Sequence, residues 1–299
     1  MNQFARRSIQ ALLFLTSMDL SPALAQDAPK VPTDHQVPIA TQWLLDAAGP
    51  TQRSSIKSVY LLVCPKTNKK GTAFLIRTGI IVTDNHVVEG CQSDDLRGMS
   101  PTGDLITFNK MVTDSARDLA LLKPSNHIDG GLSLGNDTSL KAGETVTTWG
   151  FPLIYNGPAP LLTVGYIAGF EAIQAGNKTV KHLVVNGAFN PGNSGGPLLL
   201  SGQDTVVGIV VWKMRILAPW TQTLITGLSK SNSWISSGVT QTLPDGTARS
   251  LGQHEVTGLV LQEFYNTVQV MIGEATSVSE LKAFIQEKGG NLLSSGASP

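Results

Sequence analysis

The chain has 299 residues, 22 of them basic and 22 acidic, and 41% of its residues are hydrophobic. A composition that apolar at that length supports a full core and excludes a disordered chain. Zero formal net charge leaves no electrostatic reason to expect nucleic acid or an acidic membrane surface as a partner.

Residues 1–25 read as a signal peptide. Arg6 and Arg7 give a basic start, Ile9 to Met18 a short apolar run, and Ala23-Leu24-Ala25 a small-x-small cleavage pattern. The run is too short to span a bilayer, and no cysteine sits at the cut to carry a lipid, so an exported chain without a stable membrane anchor is expected. Both Sec and twin-arginine export fit the adjacent arginines. Cys64 and Cys91 are the only cysteines. In an oxidising compartment two cysteines point to one disulfide, with two buried thiols as the alternative, and they are too few for a metal site.

Residues 26–57 are polar and proline-containing, with an apolar patch at Trp43-Leu44-Leu45, and read as an N-terminal arm. From Ser58 short β-rich runs alternate with turn residues, the last two being Gly258–Phe264 and Thr267–Ile272. A dozen short strands without alternating helices predict an all-β sandwich or pair of barrels, with residues 126–139 as the linker between halves. Residues 214–257 read as a polar excursion. Ser277-Val278-Ser279-Glu280 is a capping-box pattern, followed by Leu281, Phe284 and Ile285 at helical spacing, so 274–290 reads as a C-terminal helix and 291–299 as a loose tail.

The stretch Asn190 to Leu199 places Ser194 among glycines and leads into an apolar strand. A serine hydroxyl is a poor nucleophile unless a base takes its proton, a third group orients that base, and donors receive the oxyanion. His86 directly follows the apolar run Ile80–Thr83, a rigid platform for a base. Asp118 opens the apolar run Leu119–Leu122, where an acid can hold an imidazole tautomer; Asp114 is its rival. His35, His127, His182 and His254 sit in polar or loop-like contexts that suit surface roles.

The strings GTAFLI, IVTDNHVV, DLALLK, VTTWGFP, LLTVGYIAG and NPGNSGGPLL together resemble the trypsin-like serine proteases of the high-temperature-requirement (HtrA) type. The resemblance implies two six-stranded antiparallel β-barrels, 58–125 and 140–273, with a C-terminal helix. It implies His86 as general base, Asp118 as orienter and Ser194 as nucleophile. Gly192, Asn193 and Ser194 would form the oxyanion loop, with the N–H groups of Gly192 and Ser194 as donors. Asn193 stands where digestive trypsins carry an aspartate, so activation by a freed N-terminus is not expected. Only a short tail follows the last expected helix, so no PDZ domain is expected.

The resembled fold also brings Cys64 and Cys91 within reach of each other, and puts Ala188 at the base of the specificity pocket. Phe189 would add bulk there, Val211 and Trp212 would wall it, and Lys213 would narrow its entrance. A small neutral pocket selects valine, alanine or isoleucine before the scissile bond; an inward Lys213 would instead recruit glutamate or aspartate. The expected function is an exported serine endopeptidase acting on unfolded or damaged proteins, without a cofactor. The alternatives are a latent protease-fold binding protein or chaperone, and a secreted protease of narrow specificity. Polypeptides are the expected partners, and the Trp43 arm is the expected contact in a homo-oligomer.

Overall fold

The computed structural model describes residues 37–211, 223, 225–228, 236–242, 247–267 and 272–293. The expected signal peptide, Trp212, Lys213 and His35 lie outside the described residues. Described residues within Val31–Met214 and Val270–Pro299 form one compact unit, and those within Arg215–Gln269 another. Among the described residues no helix is long and apolar enough to cross a membrane.

The larger unit begins with two helices, α1 (Ile39–Ala47) and α2 (Pro50–Lys57). Then come β1 (Val59–Cys64), β2 (Lys69–Leu75), β3 (Ile81–Asp84), the short helix α3 (Asn85–Val88), β4 (Arg97–Met99), β5 (Leu105–Ile106), β6 (Phe108–Asp114) and β7 (Leu119–Pro124). These seven strands form one sheet in the order β5-β4-β1-β2-β3-β7-β6. Strand side chains alternate between faces, and here both faces are buried. Phe74, Val82, Leu119 and Leu121 join the core shared with the second sheet, whereas Ala73, Leu75, Ile81, Ala120 and Leu122 fill the interior of the first. That is why 80–83 and 119–122 read as unbroken apolar runs with no polar alternation.

The second sheet is built from β8 (Ser133–Leu134), β9 (Thr145–Gly150), β10 (Leu161–Ala175), β11 (Lys178–Asn186), β12 (Pro197–Leu200), β13 (Thr205–Val211) and, after the second unit's β14 (Ser236–Thr242), β15 (Ala248–Gly252) and α4 (Gln253–Thr267), β16 (Gly273–Ser277). Its order is β12-β9-β10-β11-β16-β13-β8, and an additional β12–β13 pairing closes six of these strands into a barrel. The fold is therefore all-β, with one closed barrel, one nearly closed barrel and a C-terminal helix, α5 (Val278–Lys288), followed by the single turn α6 (Gly290–Leu293).

Several local expectations change. The run 258–264 lies inside helix α4, because a short apolar run does not separate helix from strand by period alone. Of the strand expected at 267–272, Thr267 ends helix α4 and 268–271 lie outside the described residues; a strand not expected forms at Gly273–Ser277, its polar text tolerated because β11 and β13 flank it on both edges and bury Ala275, Thr276 and Ser277. The second barrel therefore runs to residue 277, α5 begins at Val278, and the second unit reaches beyond 257. The expected linker contains β8, paired in parallel with β13. The tail expected to be loose begins with a turn whose Leu292 is buried in the shared core. The N-terminal arm is helical from Ile39, with Leu45 and Ile56 in that same core. Ser277 caps α5 by accepting from Ser279 N–H, but Glu280 does not reach back to complete a capping box; it accepts from Lys181 N–H at 3.0 Å.

Cys64, at the end of β1, is bonded to Cys91 just beyond α3, closing a separation of 27 residues. A loop of that size is worth about 3.5 kcal/mol in the chain-entropy account. The double substitution Cys64→Ala/Cys91→Ala is expected to lower unfolding stability by about that amount, measured by denaturant titration. An unchanged midpoint would show that the cross-link adds nothing.

Candidate active site

His86 sits in the single turn α3, which follows directly from the buried strand β3. Its side chain is 42% exposed, so one edge of the ring faces solvent. The other edge meets Asp118: His86 Nδ1 lies 2.7 Å from Asp118 Oδ2, and the backbone N–H of His86 donates to Asp118 Oδ1 at 2.9 Å. Both carboxylate oxygens are thus committed to one residue, which fixes ring orientation and places the proton on Nδ1. The Asp118 carbonyl also accepts from Asn85 N–H at 3.1 Å. Asp118 holds φ at +53°, a left-handed conformation worth roughly 1–2 kcal/mol of strain in a residue with a side chain. The rival Asp114 faces elsewhere, accepting Arg117 Nη1 at 2.7 Å and the backbone N–H groups of Ala116 and Arg117.

Thr72 on β2 ties the Ser194 loop to the first barrel by hydrogen bonds. Thr72 N–H donates to the Ser194 carbonyl at 2.8 Å, and its hydroxyl donates to the Gly192 carbonyl at 2.7 Å. The same hydroxyl accepts Phe151 N–H at 3.0 Å, and the Thr72 carbonyl accepts the Thr83 hydroxyl at 2.8 Å. Gly192 and Gly195 adopt φ of +98° and +82°. A Cβ at Gly192 would lie 2.3 Å from the Phe151 carbonyl, and one at Gly195 2.2 Å from the Thr72 carbonyl, so only glycine fits either place. Ser194 and Asn193 are buried. Gly71 brings the pieces together: its Cβ position would lie 2.7 Å from Val87, beside His86, and 3.1 Å from the Ser194 carbonyl. The histidine turn and the serine loop therefore approach the same point of β2.

Two residues of this region carried no functional reading in the sequence. Thr72 was visible only as part of GTAFLI. Asp84, two residues before His86, is an acid at the end of an apolar strand and is 0% exposed, with Oδ2 3.8 Å from His86 Nδ1. Burial first, and then the charge of Asp118, push its pKa well above the usual carboxylate range. The Gly195 N–H, which donates to the Val210 carbonyl at 2.8 Å, acts in the opposite direction. The shift is toward the neutral acid, which lessens the repulsion between Asp84 and Asp118. Asp84, His86 and Asp118 each offer an atom within 4.8 Å of the others.

Ala188 is half-buried and Val211 buried. Phe189 departs from expectation: it is 7% exposed and belongs to the core of the second barrel, its ring lying over Gly273, where a Cβ would come within 2.1 Å. Gly273 of β16 gives the ring its room. His182 also departs, being buried on β11 with Nδ1 3.3 Å from Glu274. His127 is exposed, as its loop context implied.

Residues 71–209 match the trypsin-like peptidase domain family. The chain is 36% identical over 135 residues to the serine protease Do-like HtrA of Bacillus subtilis, covering 43% of this chain and 29% of that protein. It is 35% identical over 141 residues to a probable periplasmic serine endoprotease, DegP-like, of Hahella chejuensis, covering 46% of this chain and 29% of that one. The matches thus span less than a third of each relative's length. Among solved structures, the active form of the Rv3671c protease from M. tuberculosis aligns with a TM-score of 0.53 at 16% identity, over 88% of this chain and 91% of that one, a likeness of fold. Over residues 71–209 the chain is thus similar to the trypsin-like peptidase domain, and the curated relatives it resembles there are named as serine proteases of the HtrA and DegP types.

Proposed function

We propose that the chain is an exported serine-type endopeptidase that cleaves unfolded or damaged polypeptides through a Ser194–His86–Asp118 triad. The observation that carries the reading is the His86–Asp118 pair, held at 2.7 Å, with the histidine turn and a glycine-framed serine loop both lying against Gly71 of β2. Asp118 keeps the proton on Nδ1, so Nε2 is the nitrogen left to accept the Ser194 proton. Ser194 Oγ then bonds to the scissile carbonyl carbon, and the oxyanion is received by the N–H groups of Gly192 and Ser194. His86 returns the proton to the leaving amine as the C–N bond breaks. Water hydrolyses the acyl-enzyme by the same route. The positive φ of Gly192 and Gly195 supports the turn that such a hole requires. Export is supported by the N-terminal text and by the periplasmic relative. Self-association through α1 is supported by Trp43 and Ile39, each 67% exposed.

Ser194→Ala is expected to abolish casein cleavage and fluorophosphonate labelling, a loss of about 10⁶-fold, while circular dichroism stays unchanged. Asp118→Asn should cost about 10⁴-fold, because it reverses the tautomer, whereas Asp114→Asn should be far milder. A larger loss in Asp114→Asn would overturn the assignment of the orienting acid.

Thr72→Val strands the Gly192 carbonyl and Phe151 N–H in a buried place, each worth about 1–3 kcal/mol. The labelling rate of Ser194 is expected to fall at least about tenfold in a protein that remains folded. Labelling at the wild-type rate would show that the loop holds itself.

With Phe189 turned into the barrel, Ala188 leaves an uncharged pocket base, and an unpaired charge there would be costly. Profiling a peptide library is expected to give cuts after valine, alanine and isoleucine; cuts concentrated after lysine or arginine would refute the pocket reading.

A further inference from the structure

Arg117 immediately precedes Asp118, and its side chain is only 7% exposed. Three carboxylates surround its guanidinium. Asp114 Oδ2 accepts from Nη1 at 2.7 Å, Glu280 Oε2 from Nε at 3.0 Å, and Glu287 takes Nη2 at 2.7 Å and Nη1 at 2.9 Å. Asp114 belongs to the first barrel, but Glu280 and Glu287 project from helix α5, more than 160 residues later in sequence. Lys178 adds a second cation, 3.4 Å from Asp114 and 3.3 Å from Glu287, and Glu280 also holds the Lys181 backbone N–H. The backbone of Arg117 is fixed as well. Its N–H reaches Asp114 Oδ1 at 3.2 Å, and its carbonyl accepts the Thr276 hydroxyl of β16 at 3.3 Å.

These contacts converge on the residue that enters the strained Asp118 conformation. A left-handed aspartate persists only where its surroundings hold it. Released, the turn relaxes toward negative φ and swings the carboxylate away from His86. A guanidinium suits this task because its planar fork fixes direction as well as charge. Its bonds to Glu287 first, and to Glu280 and Asp114, outweigh burial and keep it charged; in return Arg117 holds the Glu287 pKa down to about 2.

We propose that Arg117 is a positioning residue for the His86–Asp118 pair, and that through it helix α5 becomes part of the support of the catalytic centre. The inference rests on the peptidase reading for its effect on rate, but its structural half can be tested without it. Wild type, Arg117→Lys, Arg117→Met and Glu287→Gln would be compared in the full chain, with Asp204→Asn as control, since that removes an exposed pair with Arg77. Two quantities would be read: the fluorophosphonate inactivation constants, separated into maximal rate and half-saturating concentration, and the NMR signal of the His86 Nδ1 proton.

The expected result is a maximal rate lowered about tenfold in Arg117→Lys and further in Arg117→Met, with half-saturation unchanged. The Nδ1 proton should exchange faster in both, while the control matches wild type. A folded Arg117→Met with the wild-type rate and proton signal would overturn the proposal. Should Arg117→Met fail to fold, Glu287→Gln decides, because it keeps the arginine and its other two acids: an unchanged rate and signal would overturn the proposal there. A wild-type chain that never labels would defeat the peptidase reading, and the Nδ1 signal alone would then decide the positioning role.

Discussion

The hydrogen-bonding of Thr72 is the constraint on which the site depends. One buried residue of the first barrel uses its N–H, its carbonyl and its hydroxyl to hold the Ser194 loop, β3 and the Phe151 backbone together. Each group it serves is a backbone or hydroxyl group that water cannot reach, so each bond also avoids a desolvation penalty. A serine loop with two left-handed glycines has little intrinsic preference for one shape. Its shape is set from outside, by a strand that is itself buried on both faces.

That double burial explains the economy of the first barrel. Consecutive residues of β2, β3 and β7 alternate between its interior and the core shared with the second barrel. The strand that ends at Asp84 and the strand that begins after Asp118 pair side by side, Asp84 opposite Leu119. The His86 turn and the Asp118 turn therefore leave the sheet at adjacent points, and the imidazole meets the carboxylate without a long loop to order. Packing makes the frame rigid, and electrostatics then acts over short distances. Asp84 is driven toward its neutral form by burial, and Asp118 keeps both oxygens on His86.

Parts of this were legible in the text because the same physics writes the sequence. The apolar runs at 80–83 and 119–122 announce strands because both faces need apolar groups. The glycines around Ser194 announce a turn because no other residue fits at Gly192 or Gly195. Strand β16 was illegible: Gly273 to Ser277 is polar and short, and it is a strand only because two neighbours supply its hydrogen bonds. Helix α4 was misread because its apolar run lacks a diagnostic period. The packing of Phe189 in the barrel was illegible because the glycine that receives its ring lies 84 positions away in sequence, at 273 − 189.

By itself, then, the sequence determined the all-β class, the order of histidine, acid and serine, and the resemblance that joins them. These follow from local demands: apolar burial on a strand, glycine at a positive φ, an acid at a strand edge. The tertiary structure decided which acid faces the imidazole, since Asp114 and Asp118 differ by only four positions but point to Arg117 and His86 respectively. It also decided that Phe189 belongs to the barrel, that Thr72 holds the serine loop, and that helix α5 reaches the Asp118 turn through Arg117. Those outcomes depend on partners distant in the chain, and a carboxylate or a hydroxyl carries no local mark of the partner that folding will bring to it.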